Sequence, residues 1–317
     1  MKIGLIDVDG HNFPNLALMR ISAYHKKKGD DVEWWMGDLW HYDVVYMSKV
    51  FSNEYSPDVW EPVNADKVIK GGTGYAISLG EDGKEHFDKS KHNDLPEEIE
   101  RMFPDYSIYP QFDFAVSMTS RGCPRGCAFC HVAAKEGGCS VKVADVKDFW
   151  NGQKRIESLD PNITACREKH ELFQQYAETG AAVCFNQGLD IRMITDQDIE
   201  DLNRIRLQKI HFAWDNPDDR LEEKYKNYAA KARRKYKGSF GMVYCLTGFE
   251  SVTTEEHIDR ALFRVYKLRD LGFDPYVMVY NKPNADRRLK DLQRWCNNKI
   301  IFKSAKRFED YRPRKSG

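Results

Sequence analysis

Residues 119–130 read Thr119-Ser120-Arg121-Gly122-Cys123-Pro124-Arg125-Gly126-Cys127-Ala128-Phe129-Cys130. Three cysteines at intervals of four and three stand in a Gly/Pro-rich loop directly after a predicted strand, Phe114–Met118. Such a loop can wrap three thiolates around one inorganic centre, and iron–sulfur clusters are held by thiolates of this kind. The number of ligands matters more than the spacing. A structural site is normally closed by four protein ligands, whereas three leave a coordination position open for a substrate or cofactor. In a four-iron cluster one iron would then be free to bind something else. Taken alone, the residues leave three other readings: a Cys₃His zinc site completed by His131, a cluster for electron transfer or sensing completed by Cys139, and three unrelated buried cysteines.

On the C-terminal side of this loop, strands are predicted at Arg155–Leu159, Ala182–Asn186, Lys209–Ala213, Phe240–Leu246 and Pro275–Tyr280. Amphipathic stretches long enough for helices separate most of them, among them Cys166–Thr179, Asp196–Leu207 and Thr254–Leu271. Thr253-Thr254-Glu255-Glu256 opens the last with capping chemistry and Gly272 ends it. Six strand–helix repeats predict an α/β fold, an open or partial TIM-like (βα)6 barrel with active groups at the carboxyl ends of its strands.

On the N-terminal side, Ile3–Val8, Val32–Trp35, Asp43–Val50 and Lys67–Ile69 read as strands, and Pro14–Lys28 as a helix with a stripe of Leu16, Leu18, Met19, Ile21 and Ala23. This alternation implies a flavodoxin- or Rossmann-like parallel sheet with ligands at the carboxyl ends of its strands, where Gly71-Gly72-Thr73-Gly74 falls. Gly80–Pro110 is charged and turn-rich, with one short helix at Glu97–Met102. The expected organisation is a shortened α/β domain over 1–79, a linker over 80–111, the partial barrel over 112–283 and a basic helical tail over 284–317.

Composition agrees with a folded protein: 317 residues, 41% apolar, 31% charged and 13% aromatic, incompatible with a disordered chain. No apolar run approaches the roughly 18–20 residues that span a bilayer, and acidic residues arrive too early for a signal peptide. The expected compartment is the cytoplasm, where the eight cysteines stay reduced. The zero net charge is a cancellation, because residues 282–317 carry +8 and residues 1–281 carry −8. A second basic cluster, Lys224, Lys226, Lys231, Arg233, Arg234, Lys235 and Lys237, is interleaved with Tyr225, Tyr228 and Tyr236. Basic residues with aromatics suit a polyanion such as nucleic acid, and a solvated helical face is the alternative.

CxxxCxxC with an aromatic before its third cysteine, in the loop after the first strand of a (βα)-repeat domain, resembles the radical S-adenosylmethionine (SAM) superfamily. Gly248-Phe249-Glu250 resembles that superfamily's fifth-strand motif lining SAM, and Tyr280-Asn281-Lys282-Pro283 ends a sixth strand as in its relatives. The resemblance covers residues 112–283. It implies that Cys123, Cys127 and Cys130 ligate an oxygen-sensitive 4Fe–4S cluster whose fourth iron is chelated by SAM, with Phe129 near the adenine. Reductive cleavage of SAM would give methionine and a 5′-deoxyadenosyl radical that abstracts hydrogen from a substrate, and a flavodoxin or ferredoxin would supply the electron. The superfamily's Gly-Gly-Glu-like motif is replaced by Glu157-Ser158-Leu159-Asp160-Pro161-Asn162, so Asp160, with Asn162, is expected to meet the SAM amino group. Asp190 is expected on the ribose hydroxyls and Arg192 on a carboxylate, the alternative being an internal Asp190–Arg192 ion pair. Trp214 reads either as a wall of the substrate pocket or as core. Gly248 and Glu250 complete the SAM-side set.

Residues 1–75 resemble a shortened cobalamin-binding domain, Asp9-Gly10-His11 echoing its cobalt-binding histidine motif with Pro14 in place of the motif's glycine. A degenerate domain with His11 stabilising its own turn is the expectation, and cobalamin-dependent methyl transfer the alternative. The whole chain is similar to compact radical SAM proteins of bacterial and prophage origin. Outside the enzymes, a non-catalytic iron–sulfur sensor is the competing reading.

Overall fold

The computed structural model describes residues 1–233 and 238–312. The chain divides into two units. The first comprises Met1–Val116, Arg125–Gly137 and Lys147–Gln153, and the second Ser117–Pro124, Gly138–Val146 and the chain from Lys154 on.

The first unit is built on a parallel sheet of β1 (Lys2–Asp7), β2 (Asp31–Trp34), β3 (Tyr42–Ser48) and β4 (Ala65–Gly71), in the order β2-β1-β3-β4. Helix α1 (Leu16–Lys27) starts at Asn15, whose side chain accepts from the Leu18 N–H at 3.2 Å, and ends on Lys26 and Lys27, cations that suit a helix C-terminus. Leu18 and Ile21 of α1 pack with Ile3 and Leu5, while Ile6, Val8, Tyr42, Val45 and Met47 form a second cluster. The strand order reverses beside β1, as in flavodoxin-like sheets, and neither β2–β3 nor β3–β4 is joined by a helix. Residues 80–111, read above as a connection, share in this packing. The hairpin of β5 (Ile77–Leu79) and β6 (Glu85–Phe87) precedes α2 (Glu97–Glu100), whose Ile99 is buried beside Ile3 and Leu5. The short helix α3 (Val132–Glu136) also belongs to this unit.

In the second unit, β7 (Ala115–Ser117), which enters it only at Ser117, leads to a small antiparallel pair, β8 (Ser120–Arg121) with β9 (Val141–Lys142). The main sheet runs in sequential order from β7 through β10 (Arg155–Ser158), β11 (Ala182–Leu189), β12 (Leu207–Ala213) and β13 (Met242–Thr247) to β14 (Asp274–Val279). Its successive pairings from β10 to β14 are parallel. β7 and β14 are its two edges and do not pair, so the sheet is open. Helices α4 (Lys169–Glu178), α5 (Asp196–Arg204), α6 (Glu222–Lys231) and α7 (Thr254–Asp270) form the crossovers, followed by α8 (Arg287–Asn297) and α9 (Lys299–Ser304). α5 opens with a reciprocal Thr195–Asp198 capping box.

Alternation divides the residues of this sheet between two faces. On one, Phe185 meets Phe173 and Tyr176 of α4, Phe212 meets Tyr225 and Tyr228 of α6, and Val277 and Val279 pack with α7 and α8. Tyr225 and Tyr228 are core residues and offer no stacking surface beside Lys224 and Lys226; Arg234, Lys235, Tyr236 and Lys237 lie outside the described residues. Trp214, 1% exposed and stacked with Tyr225, is core. In the C-terminal segment, Leu292, Trp295 and Phe302 are buried, but Ile300 is 81% exposed. Among the described residues no helix is long and apolar enough to cross a membrane.

Candidate functional site

The cysteine loop leaves β7 and β8 with Cys123 in the second unit and Cys127 and Cys130 in the first. Gly122 and Gly126 turn it at positive φ, and the Cys130 N–H donates to the Cys127 carbonyl at 2.9 Å. Cys123 and Cys127 are half-buried and Cys130 is exposed. Phe129 is half-buried. Among the described residues no group of three or more His, Cys, Asp or Glu side chains is placed to hold a metal ion. His131, the fourth ligand of the zinc reading, holds its Nε2 3.6 Å from the Glu85 carboxylate, which the Ser52 hydroxyl also reaches.

Asp160 anchors the start of the loop. Its Oδ1 accepts from Thr119 Oγ1 at 2.7 Å, Ser120 Oγ at 2.8 Å and the Ser120 N–H; its Oδ2 accepts from Ser158 Oγ at 2.7 Å and Tyr176 Oη at 3.2 Å. A carboxylate has about four lone-pair sites. This buried one already receives five hydrogen bonds from the chain itself. Asn162, also buried, donates from Nδ2 to Cys123 Sγ at 3.3 Å. Three cysteines in one loop, the first already receiving an N–H, are a donor set that fits a 4Fe–4S cluster with one open iron.

The remaining predicted residues lie at the carboxyl ends of the second unit's strands. Arg192 binds Asp190 through Nε at 2.6 Å and Asp219 through a terminal nitrogen at 2.7 Å. That is the internal ion pair weighed above, extended by a second carboxylate. Gly248, at φ 84°, donates its N–H to His257 Nδ1, whose Nε2 donates to the Glu250 carbonyl; the Glu250 carboxylate pairs with Arg260 at 3.2 Å. This turn is thereby tied to α7.

In the first unit, His11 packs its ring edge-on against Trp34, with centroids 4.2 Å apart, and lies 5.8 Å from Tyr109. The Gly-rich turn departs from expectation. A Cβ on Gly72 would stand 2.3 Å from the Lys49 carbonyl oxygen, and one on Gly74 2.1 Å from that of Phe51. The close approach that requires glycine is to the chain's own backbone.

Sequence reading missed the second sheet's other face. Glu157, Asn186, His211, Tyr244 and Tyr276 occupy the strand positions opposite the helix-packed ones. Asn186 Nδ2 donates to Glu157 at 2.6 Å, His211 lies parallel to Tyr244 with centroids 5.3 Å apart, and Tyr276 meets Tyr244 edge-on at 5.8 Å. Burial lowers the His211 pKa, and Nδ1 donates to the Phe185 carbonyl at 2.7 Å, so the neutral ring presents Nε2 as an acceptor. The available signal was polar residues at alternate positions of otherwise apolar strands.

The chain thus carries a flavodoxin-like sheet and an open, sequentially ordered parallel sheet with a three-cysteine loop after its first strand. The chain is similar in structure to the radical SAM methyltransferase TsrM from Kitasatospora setae, solved with cobalamin and a 4Fe–4S cluster: TM-score 0.60 and 10% identity over 88% of this chain and 74% of that one. A second TsrM structure, with tryptophan substrate and the SAM analogue aza-SAM, matches with the same score and identity over 88% and 72%. No protein-family model and no curated protein matches the sequence.

Proposed function

We propose that this protein is a radical SAM enzyme in which Cys123, Cys127 and Cys130 hold a 4Fe–4S cluster. When bound, cluster and SAM supply a one-electron reductive cleavage yielding methionine and a 5′-deoxyadenosyl radical. The observation that carries the reading is the three-cysteine loop directly after the first strand of an open parallel sheet, in a fold similar to a solved radical SAM methyltransferase. Asp160 holds the start of that loop. Phe129, Asp190, Arg192, Gly248 and Glu250 stand on the SAM side, with the Arg192 guanidinium already shared between two carboxylates. Glu157, Asn186, His211, Tyr244 and Tyr276 offer a polar and aromatic surface for the substrate, and we read the open sheet that carries them as a partial barrel. A flavodoxin or ferredoxin in the cytoplasm is the proposed reductant. Nucleic acid or a nucleotide as substrate now rests on charge alone, since Tyr225 and Tyr228 are buried.

Anaerobically reconstituted protein given SAM and dithionite is expected to release 5′-deoxyadenosine, and the Cys123→Ala, Cys127→Ala and Cys130→Ala variants none. A four-iron protein that releases none, with variants indistinguishable from wild type, overturns the reading in favour of a non-catalytic iron–sulfur protein. Oligonucleotide binding should weaken steeply with salt, and binding indifferent to salt removes that substrate class.

Cobalamin-dependent methyl transfer is the second reading, favoured by the β2-β1-β3-β4 sheet and by the cobalamin in the similar structure. Reconstitution with hydroxocobalamin should then leave a corrinoid absorbance on the protein after gel filtration, and its absence rejects this reading.

A further inference from the structure

Asn162 lies in the turn after β10, and three hydrogen bonds set its orientation. The Asp190 N–H donates to Thr164 Oγ1 at 3.1 Å. The Thr164 hydroxyl donates onward to Asn162 Oδ1 at 2.7 Å, and Asn162 Nδ2 donates to Cys123 Sγ at 3.3 Å. Ser140 Oγ pins the Asn162 carbonyl from the other side at 2.9 Å. Direction along this relay follows from chemistry: a backbone N–H can only donate, and an amide oxygen can only accept. With Oδ1 taken by the hydroxyl, the NH₂ end of the amide faces the sulfur. Asn162, Thr164 and Asp190 are all buried, so water does not compete strongly for these groups.

We propose that Asn162 is the residue that sets the reduction potential of the centre held by Cys123, with Thr164 aiming it; this rests on the cluster reading above. An N–H donated to a ligating thiolate stabilises the more negative, reduced state, and hydrogen bonds to sulfur are among the factors that set iron–sulfur potentials. The relay starts at Asp190, whose side chain holds Arg192, so the turn after the third barrel strand and the first thiolate share one chain of hydrogen bonds.

The experiment is a spectroelectrochemical titration, read by EPR, of the reconstituted protein and its variants, with iron and sulfide content measured on each sample. Asn162→Leu, which keeps the branched heavy-atom shape and removes the donor, should lower the midpoint potential by about tenfold in the one-electron equilibrium constant, about 59 mV. Thr164→Val should shift it the same way by less, and Thr164→Ser should keep the wild-type value. If Asn162→Leu does not load, the Val/Ser pair at Thr164 decides. An unchanged potential in loaded Asn162→Leu, or equal potentials for Thr164→Val and Thr164→Ser, overturns the proposal. Wild-type protein that takes up no cluster overturns the functional reading instead.

Discussion

Oδ1 of Asp160 lies 2.7 Å from Oγ1 of Thr119, so the turn after β10 holds the residue that opens the cysteine loop. Four further donors, from Ser120, Ser158 and Tyr176, converge on the same carboxylate. Asp160→Ala would orphan them in the interior and is expected to cost about 3–5 kcal/mol in urea unfolding, against about 1 kcal/mol for Thr119→Val. Equal costs would show that Asp160 is not the anchor.

Arg264 ties the ends of two neighbouring strands. Its buried guanidinium donates to the carbonyls of Trp214 at 2.8 Å and Asp215, just beyond β12, and of Leu246 in β13 at 2.9 Å. Arg264→Met keeps most of the volume but strands these carbonyls, with an expected loss of about 2–4 kcal/mol. Arg264→Lys should cost nearly as much, since one ammonium cannot reproduce the planar fork. A lysine variant that melts with wild type would refute the geometric argument.

Gly72→Ala and Gly74→Ala should lower the melting temperature without any ligand present, because each new methyl meets backbone below 2.5 Å. The expected loss is about 2–4 kcal/mol. Gly29→Ala, with positive φ but open space around it, should lose only about 1–2 kcal/mol. A Gly72 or Gly74 variant as stable as Gly29→Ala would show that the turn relaxes easily.

Burial pushes the Asp7 carboxyl up to about 6, against the pull of the Tyr109 hydroxyl. The folded protein therefore binds this proton more tightly than the unfolded chain does. The resulting stability is fully present below the ordinary value of 3.8 and is lost as pH rises through 6, by up to about 3 kcal/mol. Asp7→Asn, which keeps an acceptor for Tyr109 and cannot ionise, should gain on wild type between pH 4 and about 7 in denaturant titrations. A difference constant across that range would contradict the shift.

Helices and strands fell close to their expected places because their signals are local. The apolar alternation around Val183 and Val277, the Thr253 cap and the Gly272 stop are all written within a few residues of where they act. Charge and aromatic interleaving misled at Tyr225 and Tyr228 because α6 turns both rings onto Phe212, a contact composition does not encode. The glycines at 72 and 74 stand at a strand's carboxyl end, where a ligand was expected, but the atoms that approach them come from residues 49 and 51.

The sequence by itself determined the repeat order, the three-cysteine loop and its position after a strand, since spacing and periodicity are properties of neighbouring residues. Only the tertiary structure decided what Asp160 and Asn162 do. A short polar side chain on a turn can cap, pair or bind a ligand, and which it does depends on the donors that folding brings to it. Here those partners are Thr119, Ser120 and Cys123, about forty residues away along the chain.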